Sequence, residues 1–560
     1  MSKKVLIIGG VAGGASAAAR LRRLDEFAEI VMFERDEYIS FANCGLPYYI
    51  GGTIKERAKL IVQTPESMKS RFNIDVRINS EVIKIDTFKK VATVRSQARG
   101  TYEEQYDYLV LSPGAKAIKP NIDGINSPKV FTLRNIPDTD SIKAYVDKKG
   151  INSAVVIGGG YVGVEMAENL KHRGLDVTIV EAAPHIMAPL DTDLVEIVEK
   201  EIRDKGVRLI INDGVKAFKE LDGGVEITLN SDTKLRADLV ILAIGVTPDT
   251  EFLKESGIAL GAKGHIIVNK KLETNAPNVY AVGDAIEIVD FVTKQKGAVA
   301  LAGPANKQGR IAADNIAGLS STYKGTQGTS IIKVFGLTAA STGNNERTLT
   351  RLNIPYKVIT VHPESHASYY PGGVQLTLKL IFNEEGRILG AQSVGYDGVD
   401  KRIDVIATVI RLGGNVTDLT ELELCYAPPF SSAKDPVNMA GYVAQNILAG
   451  RVDAITMEQF MVYDRKNTVL VDVRTELEYK NGHFEGALNI PVDGLRARIG
   501  ELDKDKEILE YCQIGLRGYV ASRILTQKGF KVKNLNGGYK SSLTMAIKPK
   551  IVDGLDTIKK

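Results

Sequence analysis

Tryptophan is absent from this 560-residue chain, and Cys44, Cys425 and Cys512 are its only cysteines. So few cysteines exclude a disulfide-stapled scaffold and point to a reducing compartment. Histidine is scarce too: the six are scattered, none at ligand spacing from a cysteine, which argues against a metal site. No apolar run approaches the ~18 residues needed to span a bilayer. Nor is there an excess of one charge; a formal +4 over this length implies no nucleic-acid or membrane partner. Lys3-Lys4 followed by Val5 to Ala19 has the outline of a secretory signal. Glycines 9, 10, 13 and 14 interrupt it and Arg20, Arg22 and Arg23 follow, so a strand, tight loop and helix explain it better. The expectation is a cytoplasmic protein. With 44% hydrophobic and 25% charged residues it is ordinary globular material, long enough for about four domains.

What is present is organised around Ser40-Phe41-Ala42-Asn43-Cys44-Gly45-Leu46-Pro47. A lone thiol near a helix start, followed by glycine, is a candidate low-pKa nucleophile; the alternative is a small buried hydrophobe. Before it, Lys4 to Ile8 reads as a strand, Gly9-Gly10-Val11-Ala12-Gly13-Gly14 as a phosphate-cradling turn, and a helix is expected from near Ala15. Val11 stands where G-x-G-x-x-G has its second glycine. Support comes from the strand Ile30 to Phe33 ending in Glu34, an acid about 20 residues on, suited to a ribose hydroxyl. The unit recurs in full: Ala154 to Ile157, then Gly158-Gly159-Gly160-Tyr161-Val162-Gly163, then Val177 to Val180 ending in Glu181. Two such units imply two dinucleotides, one of them a flavin. Glu181 would accept from a free 2′-hydroxyl and repel a 2′-phosphate, so NADH is expected over NADPH.

Strands ending in glycine turns, Leu109 to Gly114 and Leu242 to Gly245, mark where the chain changes domain. Then comes Thr274-Asn275-Ala276-Pro277-Asn278-Val279-Tyr280-Ala281-Val282-Gly283-Asp284. With both glycine loops in this order, the chain over residues 1 to about 450 resembles the FAD- and NAD-dependent pyridine nucleotide-disulfide oxidoreductases. The resemblance implies FAD contacts from Gly9, Gly10, Ala12, Gly13, Gly14, Glu34, Arg35, Asn43, Gly114 and Asp284, the last on the ribityl chain. It implies NADH contacts from Gly158, Gly160, Gly163, Glu181 and Gly245. From Thr329 alternating strands would form a dimerisation domain; its segment Tyr426 to Pro436 reads by itself as a surface loop. Cys425 has no charged partner in sequence and reads as inert.

Residues 455–560 form a further α/β unit. An apparent strand Glu507 to Tyr511 runs into Cys512-Gln513-Ile514-Gly515-Leu516-Arg517-Gly518 and a helix. A cysteine there has its thiolate stabilised by inward N–H groups, and the loop would cradle an extra anionic sulfur with Arg517 near it. This resembles a rhodanese domain, which implies that Cys512 carries a persulfide.

Flavin disulfide reductases commonly use paired cysteines, and Cys44 has no neighbour in sequence. Its oxidised form must be a mixed disulfide, a persulfide or a sulfenic acid. Related NADH oxidases and peroxidases carry a histidine at the position of Ala12. The Cys44 segment and the fused C-terminal unit instead resemble the coenzyme A-disulfide reductase–rhodanese fusions, also described as NADH-dependent persulfide reductases. That resemblance implies Ser40 and Asn43 at the thiol pocket, and coenzyme A held by Ser16, Arg20, Arg23 and Arg71. Arg20 and Arg23, at i and i+3, can reach the same phosphates. Asn306, where some relatives have histidine, and Lys434 would line the substrate. In a homodimer, Tyr426 and one of Tyr369-Tyr370, favouring Tyr369, would reach across from the partner and protonate or hold the leaving sulfur.

The reading is thus an α/β protein with two Rossmann-like dinucleotide-binding domains, an α+β dimerisation domain and a C-terminal rhodanese α/β domain. Its expected boundaries are 1–115 with 250–328 (FAD), 116–249 (NAD), 329–450 (dimerisation) and 455–560 (rhodanese). The expected activity is NADH- and FAD-dependent reduction of coenzyme A persulfide or disulfide. The alternatives are an NADH oxidase or peroxidase cycling through a sulfenic acid, and a sulfur carrier whose flavin part senses redox state.

Overall fold

The computed structural model describes residues 3–543 and 549–552. They form two compact units, residues 1–186 with 206–328, and residues 187–205 with 329–560. In the first unit the apolar run Lys4–Ile8 is the centre of a parallel sheet. The order is Val279–Ala281, Tyr108–Leu111, Lys4–Ile8, Glu29–Phe33, Asp75–Arg77. A continuous apolar strand fits a parallel sheet covered on both faces. The same plan recurs as Arg208–Ile210, Asp176–Val180, Ser153–Ile157, Leu239–Leu242, Val130–Phe131. Each sheet is accompanied by a three-stranded antiparallel sheet, Ser80–Asp86 to Gly100–Gln105 and Val215–Leu221 to Lys234–Ala237. The chain passes between the two parts through the antiparallel pair Ala115–Ala117 and Val246–Pro248.

The second unit opens with an antiparallel sheet, Ser330–Val334, Leu337–Gly343, Ile388–Gly395, Leu376–Phe382, Lys357–Val361. Its strands Leu376–Phe382 and Ile388–Gly395 are buried along their whole length. Packed on this sheet is the helix Thr192–Asp204, which sequence order places inside the second dinucleotide unit. The tie is a buried ion cluster: Lys379 Nζ meets Asp193 at 2.7 Å, Asp191 at 3.3 Å and also Glu346. A buried lysine persists only when paired in this way.

The C-terminal part is a parallel sheet, Ala454–Ile455, Val532–Leu535, Glu507–Tyr511, Thr468–Asp472, Leu488–Asn489. Residues 536–541 fasten it to the antiparallel sheet. Thr360 N donates to Asn536 Oδ1 and Asn536 Nδ2 donates to Val358 O, both at 3.0 Å. Buried His362 bridges Thr377 Oγ1 at 3.0 Å and Ser541 Oγ at 3.1 Å; burial pushes its pKa down to about 3, so the ring is neutral. The same segment supports the cysteine loop, with Tyr539 N donating to Cys512 O at 2.8 Å and Lys540 N to Gln513 O at 3.0 Å. Among the described residues no helix is long and apolar enough to cross a membrane.

Candidate active sites

Each parallel sheet of the first unit ends its central strand in a glycine turn that feeds a helix. Gly9 has φ +91°, and a Cβ there would lie 2.1 Å from the Ser112 carbonyl oxygen; one on Gly14 would lie 1.9 Å from Gly9 O. In the second turn Gly158 has φ +104° with Ala243 O at 2.4 Å, and a Cβ on Gly163 would sit 1.9 Å from Gly158 O. Only glycine allows this pressing of helix onto strand, which leaves turn N–H groups at the helix N-terminus for a pyrophosphate. The first helix begins at Ala12, ahead of the expected Ala15, so Gly13 and Gly14 lie within it. Val11 is tolerated because its counterpart, Gly160, would meet nothing within 4 Å of an added Cβ.

The two acids clamp their loops alike. Glu34 accepts from Gly10 N at 2.9 Å and Asp36 N at 3.3 Å; Glu181 accepts from Gly159 N at 2.7 Å and Ala183 N at 2.8 Å. Burial pushes the Glu34 pKa up, with the backbone donors opposing. Asp284 lies in the turn Gly283–Ala285, whose Gly283 N donates to Gln308 Oε1 at 2.7 Å. Its carboxylate accepts from Arg134 Nη2 at 2.8 Å, while Arg134 Nε donates to Ala115 O at 2.9 Å. Arg35 pairs with Asp249 at 2.6 Å. Gly114 (φ +68°) and Gly245 (φ +118°) turn the chain at the ends of their strands. The cradles and the acids fit FAD in the first part and NADH in the second.

Cys44 stands in the short turn Asn43–Gly45, solvent-exposed, ahead of the helix Leu46–Gly51. That helix packs on Tyr161–His172, the helix of the second glycine loop; a Cβ on Gly51 would lie 2.1 Å from Asn169 Oδ1. Contrary to a thiol of lowered pKa, Cys44 is pushed up, first by desolvation and then by Glu165, with Arg134 pulling the other way. Glu165 is itself pushed up to about 7 by burial, and Tyr48 Oη donates to it at 3.3 Å. A helix this short offers too little dipole to outweigh these terms. As pH falls below about 7 Glu165 takes up a proton and its opposition to the Cys44 thiolate fades.

Ser16 Oγ and Asn306 Oδ1 meet at 2.6 Å, although 290 residues separate them. Arg20 pairs with Asp314 at 2.7 Å, whereas Arg23 and Arg71 are exposed; the two arginines of the helix face are thus unequally engaged. Ser40 has φ +43° and its carbonyl accepts from Val62 N at 2.9 Å, holding the approach to Cys44.

In the second unit Tyr369 Oη and Tyr426 Oη are 2.7 Å apart, both exposed, while Tyr370 packs edge-on against His366. The segment expected as a surface loop is buried at its far end. Ser431 Oγ donates to Asp435 Oδ2 at 2.6 Å, buried Arg402 donates to it at 3.1 Å, and Asp435 caps the helix Pro436–Leu448. Lys434, between them, is exposed.

Cys512 is fully buried between the strand Glu507–Tyr511 and the helix Leu516–Gln527. Gly515 N donates to its Sγ at 3.1 Å. Burial raises its pKa; the N–H groups of Gly518, Gly515 and Ile514 oppose this, and Glu510 adds to it. Glu510 is itself buried and pushed up to about 8, with Ser522 Oγ donating at 2.7 Å. Arg517 is not an open cation beside the thiol: Nη1 and Nη2 donate to Glu478 at 2.7 and 2.6 Å.

The Glu510 charge gives a testable pH dependence. Above pH 8 its ionisation raises the Cys512 pKa, whereas Glu510→Gln stays neutral. The Cys512 alkylation profile of the variant, followed by peptide mass spectrometry, is expected to reach half-maximum about half a pH unit or more lower. An unmoved or raised midpoint would contradict this.

Sequence comparison matches residues 3–309 to the pyridine nucleotide-disulphide oxidoreductase family, 329–436 to its dimerisation domain and 461–543 to a rhodanese-like domain. The coenzyme A disulfide reductase of Staphylococcus epidermidis is 39% identical over 445 residues, 79% of this chain and 100% of that protein. The structure of reduced Bacillus anthracis CoADR-RHD is 53% identical with a TM-score of 0.95, over 97% of this chain and 98% of that one. That of a NAD-dependent persulfide reductase from A. fulgidus is 36% identical with a TM-score of 0.89, over 97% and 100%.

Proposed function

The chain belongs to the pyridine nucleotide-disulphide oxidoreductase family, and from that premise we propose an NADH- and FAD-dependent reductase of coenzyme A persulfide and disulfide that works through Cys44. Cys512 in the rhodanese-like domain carries sulfane sulfur. The observation that carries the reading is the exposed Cys44, set just ahead of a helix that packs on the helix of the second of two glycine-turn units.

Bound FAD supplies two-electron transfer between NADH and sulfur. The chain's own residues do the rest. Cys44 thiolate attacks one sulfur of a coenzyme A disulfide, forming a Cys44–coenzyme A disulfide and releasing coenzyme A thiolate; with a persulfide the leaving group is the corresponding thiolate or hydrosulfide. Arg134 favours the attacking thiolate, and Glu165 holds a proton nearby near neutral pH. Ser16, Arg20, Arg23, Arg71, Ser40, Asn43 and Asn306 hold the substrate. Tyr369 and Tyr426, hydrogen-bonded to each other, act on the leaving sulfur from the partner of a homodimer. The NADH oxidase alternative is less supported, because the relatives matched over nearly the whole chain are named for disulfide or persulfide reduction.

Reducing the holoprotein, removing the reductant and treating it with coenzyme A disulfide, then alkylating and digesting it, is expected to show coenzyme A on the Cys44 peptide. Only oxygen adducts on that peptide would favour the sulfenic-acid cycle instead.

A further inference from the structure

A rhodanese loop that takes sulfur from a small inorganic dianion needs an available cation at its mouth. Among the described residues Arg474, Lys540 and Arg517 border the Cys512 loop, and both arginines are paired with carboxylates. Arg474, buried, donates to Asp472 Oδ2 and Gly482 O at 2.7 Å and to Gln513 Oε1 at 3.1 Å. Lys540 donates its Nζ to the neutral Gln375 side chain, and burial pushes its pKa down. Arg517, the one cation on the loop's own helix, is held by both oxygens of Glu478.

The Glu478 carboxylate is fixed in turn. It caps its own short helix, accepting from Thr475 N at 3.0 Å and Thr475 Oγ1 at 2.8 Å. These donors, Arg517 first, hold it down at about 2, so the pair stays ionised across any working pH. A bidentate arginine–carboxylate pair of this kind leaves little positive potential for a third, anionic partner. The flanking surface is apolar instead. Leu516, at the start of the helix, is 60% exposed, Val520 one turn on is 39% exposed, and Leu477 beside Glu478 is 69% exposed.

We infer that Glu478 is a specificity-determining residue: by occupying Arg517 it makes the Cys512 loop select alkyl persulfides, R–S–SH, over thiosulfate. The inference rests on Cys512 being the sulfur carrier. In the favoured step Cys512 thiolate attacks the outer sulfur of R–S–SH; the S–S bond breaks, Cys512–S–SH forms and R–S⁻ leaves with the bonding pair. The backbone N–H groups around Sγ suffice for the single charge involved. With thiosulfate the same attack expels sulfite, and the loop must hold a dianion next to a thiolate while Arg517, a cation on its own helix, is tied to Glu478.

The test compares sulfur transfer to cyanide from thiosulfate and from glutathione persulfide in the full-length holoprotein. Glu478→Gln keeps an acceptor for the helix cap while removing the charge. It is expected to raise the thiosulfate-to-persulfide ratio of kcat/KM about tenfold or more, by freeing Arg517 for the dianion. Glu478→Gln with Arg517→Gln is expected to return the ratio to its starting value. NADH-driven coenzyme A disulfide reduction reports whether each variant is folded. An unchanged ratio in Glu478→Gln, a rise that survives loss of Arg517, or equal use of both donors by the wild type would overturn the inference. Transfer persisting in Cys512→Ser would instead remove the carrier reading, and the inference with it.

Discussion

Cys44→Ser is expected to lower NADH-driven reduction of coenzyme A persulfide and disulfide by at least about a thousandfold, to background. The hydroxyl of serine is neither a nucleophile toward sulfur at neutral pH nor able to form the mixed disulfide. Nothing in the dinucleotide cradles depends on Sγ. Glu34 and Glu181 clamp their loops from strands remote in sequence, and Asp284 is held by Arg134. The variant should therefore retain bound FAD and its bleaching by NADH under anaerobic conditions. Turnover within tenfold of wild type would take Cys44 out of the mechanism; loss of FAD together with activity would make it structural.

The second large effect concerns Glu181. Its carboxylate is fixed by Gly159 N and Ala183 N, at the end of a strand directly beside the glycine turn. Both oxygens are thus immobile, and a 2′-phosphate placed there meets a charge that cannot swing away. NADH should exceed NADPH by about a hundredfold in kcat/KM, which corresponds to about 2.7 kcal/mol. Glu181→Ala removes the ribose acceptor and the repulsion together: it should cost NADH about tenfold and raise NADPH, collapsing the preference. Steady-state rates with both nucleotides settle it. A wild type that prefers NADPH, or a variant that keeps the full preference, would show that discrimination comes from elsewhere.

Local chemistry made much of this molecule readable in advance. Apolar runs ending at glycine turns lead into helices as expected, since strand, turn and helix are consecutive and their geometry is set by nearest neighbours. The Cys512 loop was legible for the same reason. What escaped was long-range. Arg134 meets Asp284 across 150 residues, and Glu478 meets Arg517 across 39; neither carries a motif, and each sets the charge beside a cysteine. The helix Thr192–Asp204 reads as part of the unit it follows, yet Lys379, far along the chain, draws Asp191 and Asp193 to the other sheet. The Cys44 thiol was expected to be acidic from its place before a helix; burial and then the charge of Glu165, both of which only folding supplies, reverse this.

The segment 536–541 grips in both directions, toward His362 and Thr360 on one side and toward the Cys512 and Gln513 carbonyls on the other. A carrier cysteine bolted down like this cannot fetch its cargo as a swinging lipoyl or biotinyl arm does. Under the proposed function mobility must reside in the passenger: sulfur has to reach Cys512 on a carrier that brings its own length and flexibility. Severing the chain ahead of the C-terminal sheet would therefore release no shuttle. Removing the C-terminal sheet altogether would uncover a buried imidazole, Thr360 N and Val358 O, and turn a joint between neighbours into an adhesive surface.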